Sequence, residues 1–112
     1  MQFFVHSPEG EGHPPFNPGP EVMVEMGKYM EAAVKKGIIV AGGGLARTST
    51  YLRLAGGKVT ISDGPFIESK EFIPGFTMIQ VSSREEALEW VTGLRKIIGD
   101  GEFRITQVYG PT

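Results

Sequence analysis

Cysteine is absent from the 112 residues, which removes disulfide scaffolds and thiolate chemistry as explanations of fold or function. No apolar run approaches the roughly 20 residues that a membrane-spanning helix needs. The N-terminal MQFFVHSPEG lacks a basic lead followed by an apolar stretch of signal-peptide length, so a cytoplasmic chain is expected. Charge of one sign is missing too. Thirteen acids are interspersed with eleven bases, for a formal net charge of −2; no segregated face offers itself to a nucleic acid or an anionic membrane. What is present is an apolar fraction of 40%, enough for one domain spanning residues 1–112 and too little chain for two.

The first apolar residues, Phe3, Phe4 and Val5, predict a strand over 2–6. SPEGEGHPPFNPGP follows, in which five prolines and three glycines predict a long loop, either a functional lid or a disordered segment. From Glu21 to Lys36, Val22, Met26, Tyr29, Met30 and Ala33 recur on one helical face. Pro20 suits the first turn of that helix and Gly37 a left-handed cap after it. Gly27 inside it reads either as a close approach of another backbone or as simple tolerance.

Ile38, Ile39 and Val40 switch to β-branched chemistry, predicting a strand over about 38–41 that bends or bulges at Gly42-Gly43-Gly44. TSTYLRLAGGKVTIS alternates on either side of Gly56-Gly57 and predicts a hairpin. FTMIQVS predicts another strand. Ser83 with Glu86 forms a capping box ahead of a helix over about 84–97, and EFRITQVY alternates as the last strand. The order suits an α+β, ferredoxin-like sandwich: an antiparallel sheet with two helices on one face and an inserted β-hairpin. Several strand positions are apolar on both faces, so a second copy is expected to cover the open side as a homodimer.

Candidate chemistry gathers in SDGPFIESKE, residues 62–71. Asp63, Gly64 and Pro65 are explained by a turn alone. In a functional reading Asp63 stands at a strand end as a general base, with Glu68, Lys70 and Glu71 near enough in sequence to modulate it. The same charges can instead form solvated or intersubunit ion pairs, and Phe66 reads as an anchor into the core. His6 ends the first strand beneath the long loop and is the second proton-transfer candidate. His6 and His13, with Glu9 or Glu11 between them, match no compact ligand signature, so neither a metal nor another cofactor is expected. Gly42-Gly43-Gly44 lacks the lysine and following helix of a phosphate loop. Arg47, Arg53 and Arg104, with Glu68 and Glu71, are the candidates for contacts to a bound substrate, the arginines by bidentate pairing with an anion.

The runs GIIVAGGGL, KVTISDGPFIESKE and GFTMIQVSSREEALEW resemble the YCII-related proteins of the DGPF-domain group, closely over about residues 37–91. Gly43 stands where that group usually carries glutamate, Ile67 and Ser69 replace its common alanine and threonine, and Ile105 replaces a proline. The resemblance implies a dimeric α+β barrel of ferredoxin-like topology. A dehydrochlorinase sits among relatives; together with the polar groups clustered after KVTIS, the resemblance leads to the expectation of a small polar or aromatic molecule bound in a pocket between sheet and helices, with cofactor-free chemistry of a lyase, isomerase or dehalogenase kind. The alternative it implies is a non-catalytic regulatory module associated with sigma-factor-dependent transcription. Wider relatives pair an aspartate, to which Asp63 corresponds, with a histidine in the first helix; EVMVEMGKYMEAAVKK has no histidine.

Overall fold

The computed structural model describes residues 1–110 except 11, 14, 15 and 65–70, and only the backbone of Glu71 and Phe72. Along the chain run β1 (Gln2–His6), β2 (Glu9–Gly10), α1 (Pro20–Lys35), β3 (Ile39–Gly44), β4 (Thr50–Ala55) and β5 (Lys58–Asp63). After them come β6 (Glu71–Phe72), β7 (Gly75–Gln80), α2 (Arg84–Ile98) and β8 (Arg104–Val108). Four strands form the main antiparallel sheet in the order β3-β7-β1-β8, the ferredoxin-like arrangement expected of β-α-β-β-α-β connectivity. β2 pairs with β6, which adds a two-residue strand to the stretch expected to be loop throughout. β4 and β5 form the inserted hairpin.

Both helices start and stop where their sequence dictates. Pro20 occupies the first turn of α1. At its other end Gly37 takes φ +76°, its N–H donates to the Val34 carbonyl, and the Ile38 N–H donates to that of Ala33. This is a Schellman cap, which satisfies carbonyls the helix leaves open. Ser83 Oγ accepts the Glu86 N–H at 3.1 Å, while Glu86 Oε2 accepts the Ser82 N–H at 3.1 Å; the reciprocal box forms one residue wider than its usual register.

Phe3, Val5, Ile79 and Val81 point from the sheet into a core shared with Ala33 of α1 and with Ala87, Trp90, Val91 and Leu94 of α2. The helices meet where Tyr29 donates to the Trp90 carbonyl at 2.6 Å. A Cβ at Gly93 would overlap the Tyr29 hydroxyl, so this glycine is required by the helix contact. Gly27 is different: nothing lies within 4 Å of a Cβ placed there. Of its two readings, tolerance holds and close approach does not.

One further expectation is corrected. β3 does not stop at residue 41 but carries Gly42, Gly43 and Gly44 as paired strand residues, and its irregularity falls earlier, between Ile39 and Ala41. At the base of the hairpin the Gly64 N–H donates to the Ser49 carbonyl at 2.7 Å, which continues the β4–β5 pairing past Asp63, and the Thr50 hydroxyl donates to Asp63 Oδ1 at 2.6 Å. The expected role of Phe66 lies outside the described residues. Among the described residues no helix is long and apolar enough to cross a membrane.

Chemical denaturation followed by Trp90 fluorescence tests the two helical glycines. Gly27→Ala is expected to stabilise by about 0.5–1 kcal/mol, and Gly93→Ala to destabilise by about 1–3 kcal/mol; equal effects would contradict the distinction. Burial, with Glu89 adding to it, raises the Tyr29 pKa above the ordinary tyrosine value. A raised folded pKa stabilises fully below the unfolded value of about 10 and is lost as pH rises through the folded one. Tyr29→Phe should therefore flatten the decline of stability above pH ~10, and an unchanged decline would count against it.

Candidate functional site

A cavity of about 900 Å³ opens where the end of β1, the glycine half of β3 and the start of β7 come together. Its volume falls in the range of roughly 300–1,000 Å³ typical of small-molecule sites. The inner wall is apolar: Met26 and Met30 from α1, Leu94 and Ile98 from α2, and Val5 and Ile39 from the sheet. Met26 and Met30 belong to the helical face expected to face the core, and they are only half-buried. His13, Phe16 and Pro18 from the segment between β2 and α1 close one side. Methionine walls adapt to differently shaped apolar ligands because the side chain is unbranched and polarizable.

The glycine strand gives the cavity its mouth. A Cβ on Gly75 would lie 3.0 Å from the Gly43 carbonyl oxygen, and one on Gly42 3.0 Å from that of Phe76. β3 and β7 therefore approach where only glycine fits without a shift, whereas a Cβ on Gly43 meets nothing within 4 Å. Strand alternation sends His6 and Phe76 to the face away from the helices. Both line the cavity, which thus wraps around the glycine end of the sheet. On that open face the Phe4 and Phe76 rings stack with centroids 5.4 Å apart, and the Phe4 and His6 rings are also 5.4 Å apart.

Polar groups gather at the same end. Arg47 Nη2 donates to Glu9 Oε1 at 2.6 Å and ties the segment after β3 to β2. The Glu9 side chain is enclosed, at 12% exposure, while that of Arg47 is 65% exposed; solvent screening keeps such a pair near 0–1 kcal/mol. Arg95 Nε donates to the Gly99 carbonyl at 2.8 Å, and its guanidinium sits 4.7 Å from the Phe103 ring centre. This contact holds the α2–β8 connection against the cavity. Burial lowers the Arg95 pKa from the ordinary arginine value, with the Asp100 carboxylate opposing the shift; a guanidinium stays protonated regardless.

Of the residues singled out from sequence, His6 and Arg47 line the cavity. Asp63 is exposed at the base of the hairpin and is not among the lining residues, and neither is Arg53 on β4. Arg104 lies directly opposite His6 across β1 and β8 and pairs with Glu102 at 2.7 Å, but it too is outside the lining. The three arginines therefore do not converge on this cavity. Glu68 and Lys70 fall outside the described residues, and Glu71 contributes backbone to β6. Among the described residues no three acidic or histidine side chains cluster to hold a metal ion. Sequence reading missed Arg95 and Phe103, whose one signal was a basic residue in the last turn of a helix ahead of GDG. Glu9 was weighed only as a metal ligand.

The fold and cavity define a ferredoxin-like α+β domain with a sheet–helix pocket. The model of the YCII-related domain matches residues 1–110, and the chain belongs to that family. It is also similar to an uncharacterised protein of Rhizobium meliloti (strain 1021), 33% identical over 90 residues, which cover 71% of this chain and 73% of the relative.

The glycine contacts can be tested within one strand pair. Thermal unfolding should show Gly75→Ala lowered by about 1–3 kcal/mol, an overpacking cost, and Gly43→Ala changed by less than ~0.5 kcal/mol. Equal losses at the two positions would mean that backbone approach is not what selects glycine here.

Proposed function

We propose that this protein binds a small organic molecule with an apolar body and an anionic or polar end in the cavity between sheet and helices. The observation that carries this reading is the joining of a methionine-rich apolar wall to His6, Glu9 and Arg47 at one end of a cavity of about 900 Å³. Such sites typically combine apolar enclosure with a few placed polar groups. Arg47 offers an anion a planar donor set, and the Glu9 carboxylate beside it keeps the empty site near neutrality. Proton transfer falls to His6, because of the two acid–base candidates it is the one that lines the cavity. The chemistry proposed is cofactor-free and of the lyase, isomerase or dehalogenase kind, in which a base takes a proton from the bound molecule within hydrogen-bond reach.

The proposed assembly is a homodimer. Phe4, Phe76 and Met78 lie on the sheet face away from the helices and are only half-buried, and a second copy covering them would enclose the His6 end of the cavity. An interaction module serving transcription is the second reading, and the exposed aliphatic side chains of the inserted hairpin favour it.

Titration with 8-anilinonaphthalene-1-sulfonate, an apolar aromatic anion, tests the binding reading. One site per chain is expected, lost in Met30→Trp, which fills the wall. In Arg47→Ala the site should weaken about tenfold, the order of one charge-assisted hydrogen bond. Undiminished binding in both variants would refute the assignment of the site.

A further inference from the structure

The inserted hairpin is an arm. β4 and β5 pair along their whole length, from Thr50 opposite Asp63 to Ala55 opposite Lys58, yet neither makes more than marginal contact with the main sheet or with either helix. The radius of gyration, 16.6 Å, exceeds the ~13 Å expected of a compact chain of this length, as a projecting arm requires. Residues directly opposite in an antiparallel pair share a face. The register therefore puts Leu52, Ile61, Leu54 and Val59 together in two adjacent rungs. They are 66%, 64%, 67% and 53% exposed. A two-stranded hairpin is marginally stable at best in water without a partner for its apolar face, and an exposed strand pair of this kind invites association.

We infer that this face packs against the same face of a second copy, the two hairpins stacking antiparallel across a two-fold axis. The inference rests on the homodimer reading and assigns that dimer its apolar centre. The pattern is self-complementary, as a two-fold interface must be. With the axis between the two aliphatic rungs, Leu52 and Ile61 of one copy meet Leu54 and Val59 of the other. The same operation lays the base of one arm, where Thr50 and Asp63 stand on this face, beside the Gly56-Gly57 tip of the other. No charge interrupts the four aliphatics between these ends. Gly56 and Gly57, at φ +58° and +75°, keep the tip turn tight and leave no bulky side chain to obstruct the approach.

Area supports a second copy. At about 100 Å² for a fully exposed aliphatic side chain, the four residues offer roughly 250 Å² per copy. That is about half the apolar area that one partner contributes to an interface of standard size. The balance is available on the open sheet face at Phe4, Phe76 and Met78. In this arrangement Arg47 and Pro74, which flank the arm in sequence and line the cavity, bring each cavity mouth beside the interface.

The test uses the full chain, in sedimentation equilibrium at tens of micromolar. Wild type is expected at twice the 12.2 kDa chain mass. Leu52→Lys/Ile61→Lys should fall to one chain mass with an unchanged far-UV spectrum, while Arg53→Glu, on the opposite hairpin face, stays dimeric. Because the chain has no cysteine, Leu54→Cys gives an unambiguous second measurement: a short bis-maleimide should link two copies. A dimer that survives the double substitution, or a Leu54→Cys dimer that does not cross-link, overturns the hairpin pairing and leaves the homodimer standing. A monomeric wild type overturns both.

Discussion

Strand alternation in β1 is the constraint on which the rest of the structure depends. Phe3 and Val5 point into the layer between sheet and helices and are buried with Ile79, Trp90 and Leu94. Their neighbours Phe4 and His6 are sent to the opposite face by the pleat alone. One five-residue strand thus supplies both core and site, and a register slip of one residue would exchange them. Pairing on both sides, with β7 and with β8, holds that register. Two helices can cover only one face of a four-stranded sheet, so the partition leaves His6, Phe4 and Phe76 on a surface whose covering must come from elsewhere.

The cavity follows from a second feature of the same sheet. An edge strand that ends in three glycines has no side chains to fill the space beside α1, and close approach of the β3 and β7 backbones at Gly42 and Gly75 leaves an opening at the strand ends. Met26 and Met30 line the space without closing it. The Glu9–Arg47 pair sits where β2 meets the segment leaving β3, so the polar end of the cavity and the attachment of the hairpin arm share one stretch of chain. In the proposed dimer, ligand site and interface are neighbours for that reason.

The helices, the hairpin and the main strands were legible because each carries a local signal: 3.6-residue periodicity in α1, a capping box at Ser83, and alternation broken by Gly56-Gly57. The course of β3 was not. Three consecutive glycines signal a bend by propensity, and only pairing with β7 keeps them in a strand. The two-residue β2–β6 pair was equally invisible, since nothing local distinguishes Glu9-Gly10 from the proline-rich chain around it. At the site, His6 and Arg47 were within reach of sequence reasoning because a strand end and a post-strand loop are where cavities form. Arg95 and Phe103 become visible only when a helix end is folded against the chain after it. Asp63 drew attention by its motif, and the structure places it on the arm, where it accepts a hydrogen bond from the Thr50 hydroxyl.

The central claim, a ligand site between the sheet and the helices, can be read directly from methyl resonances. The chain has five methionines, of which Met26 and Met30 line the cavity and Met1, Met23 and Met78 do not. In a ¹³C-methyl-methionine sample titrated with a small aromatic carboxylate, the Met26 and Met30 signals should shift together and saturate at one equivalent per chain. Saturable shifts confined to Met23 or Met78, with Met26 and Met30 unmoved, would place the site elsewhere and contradict the account.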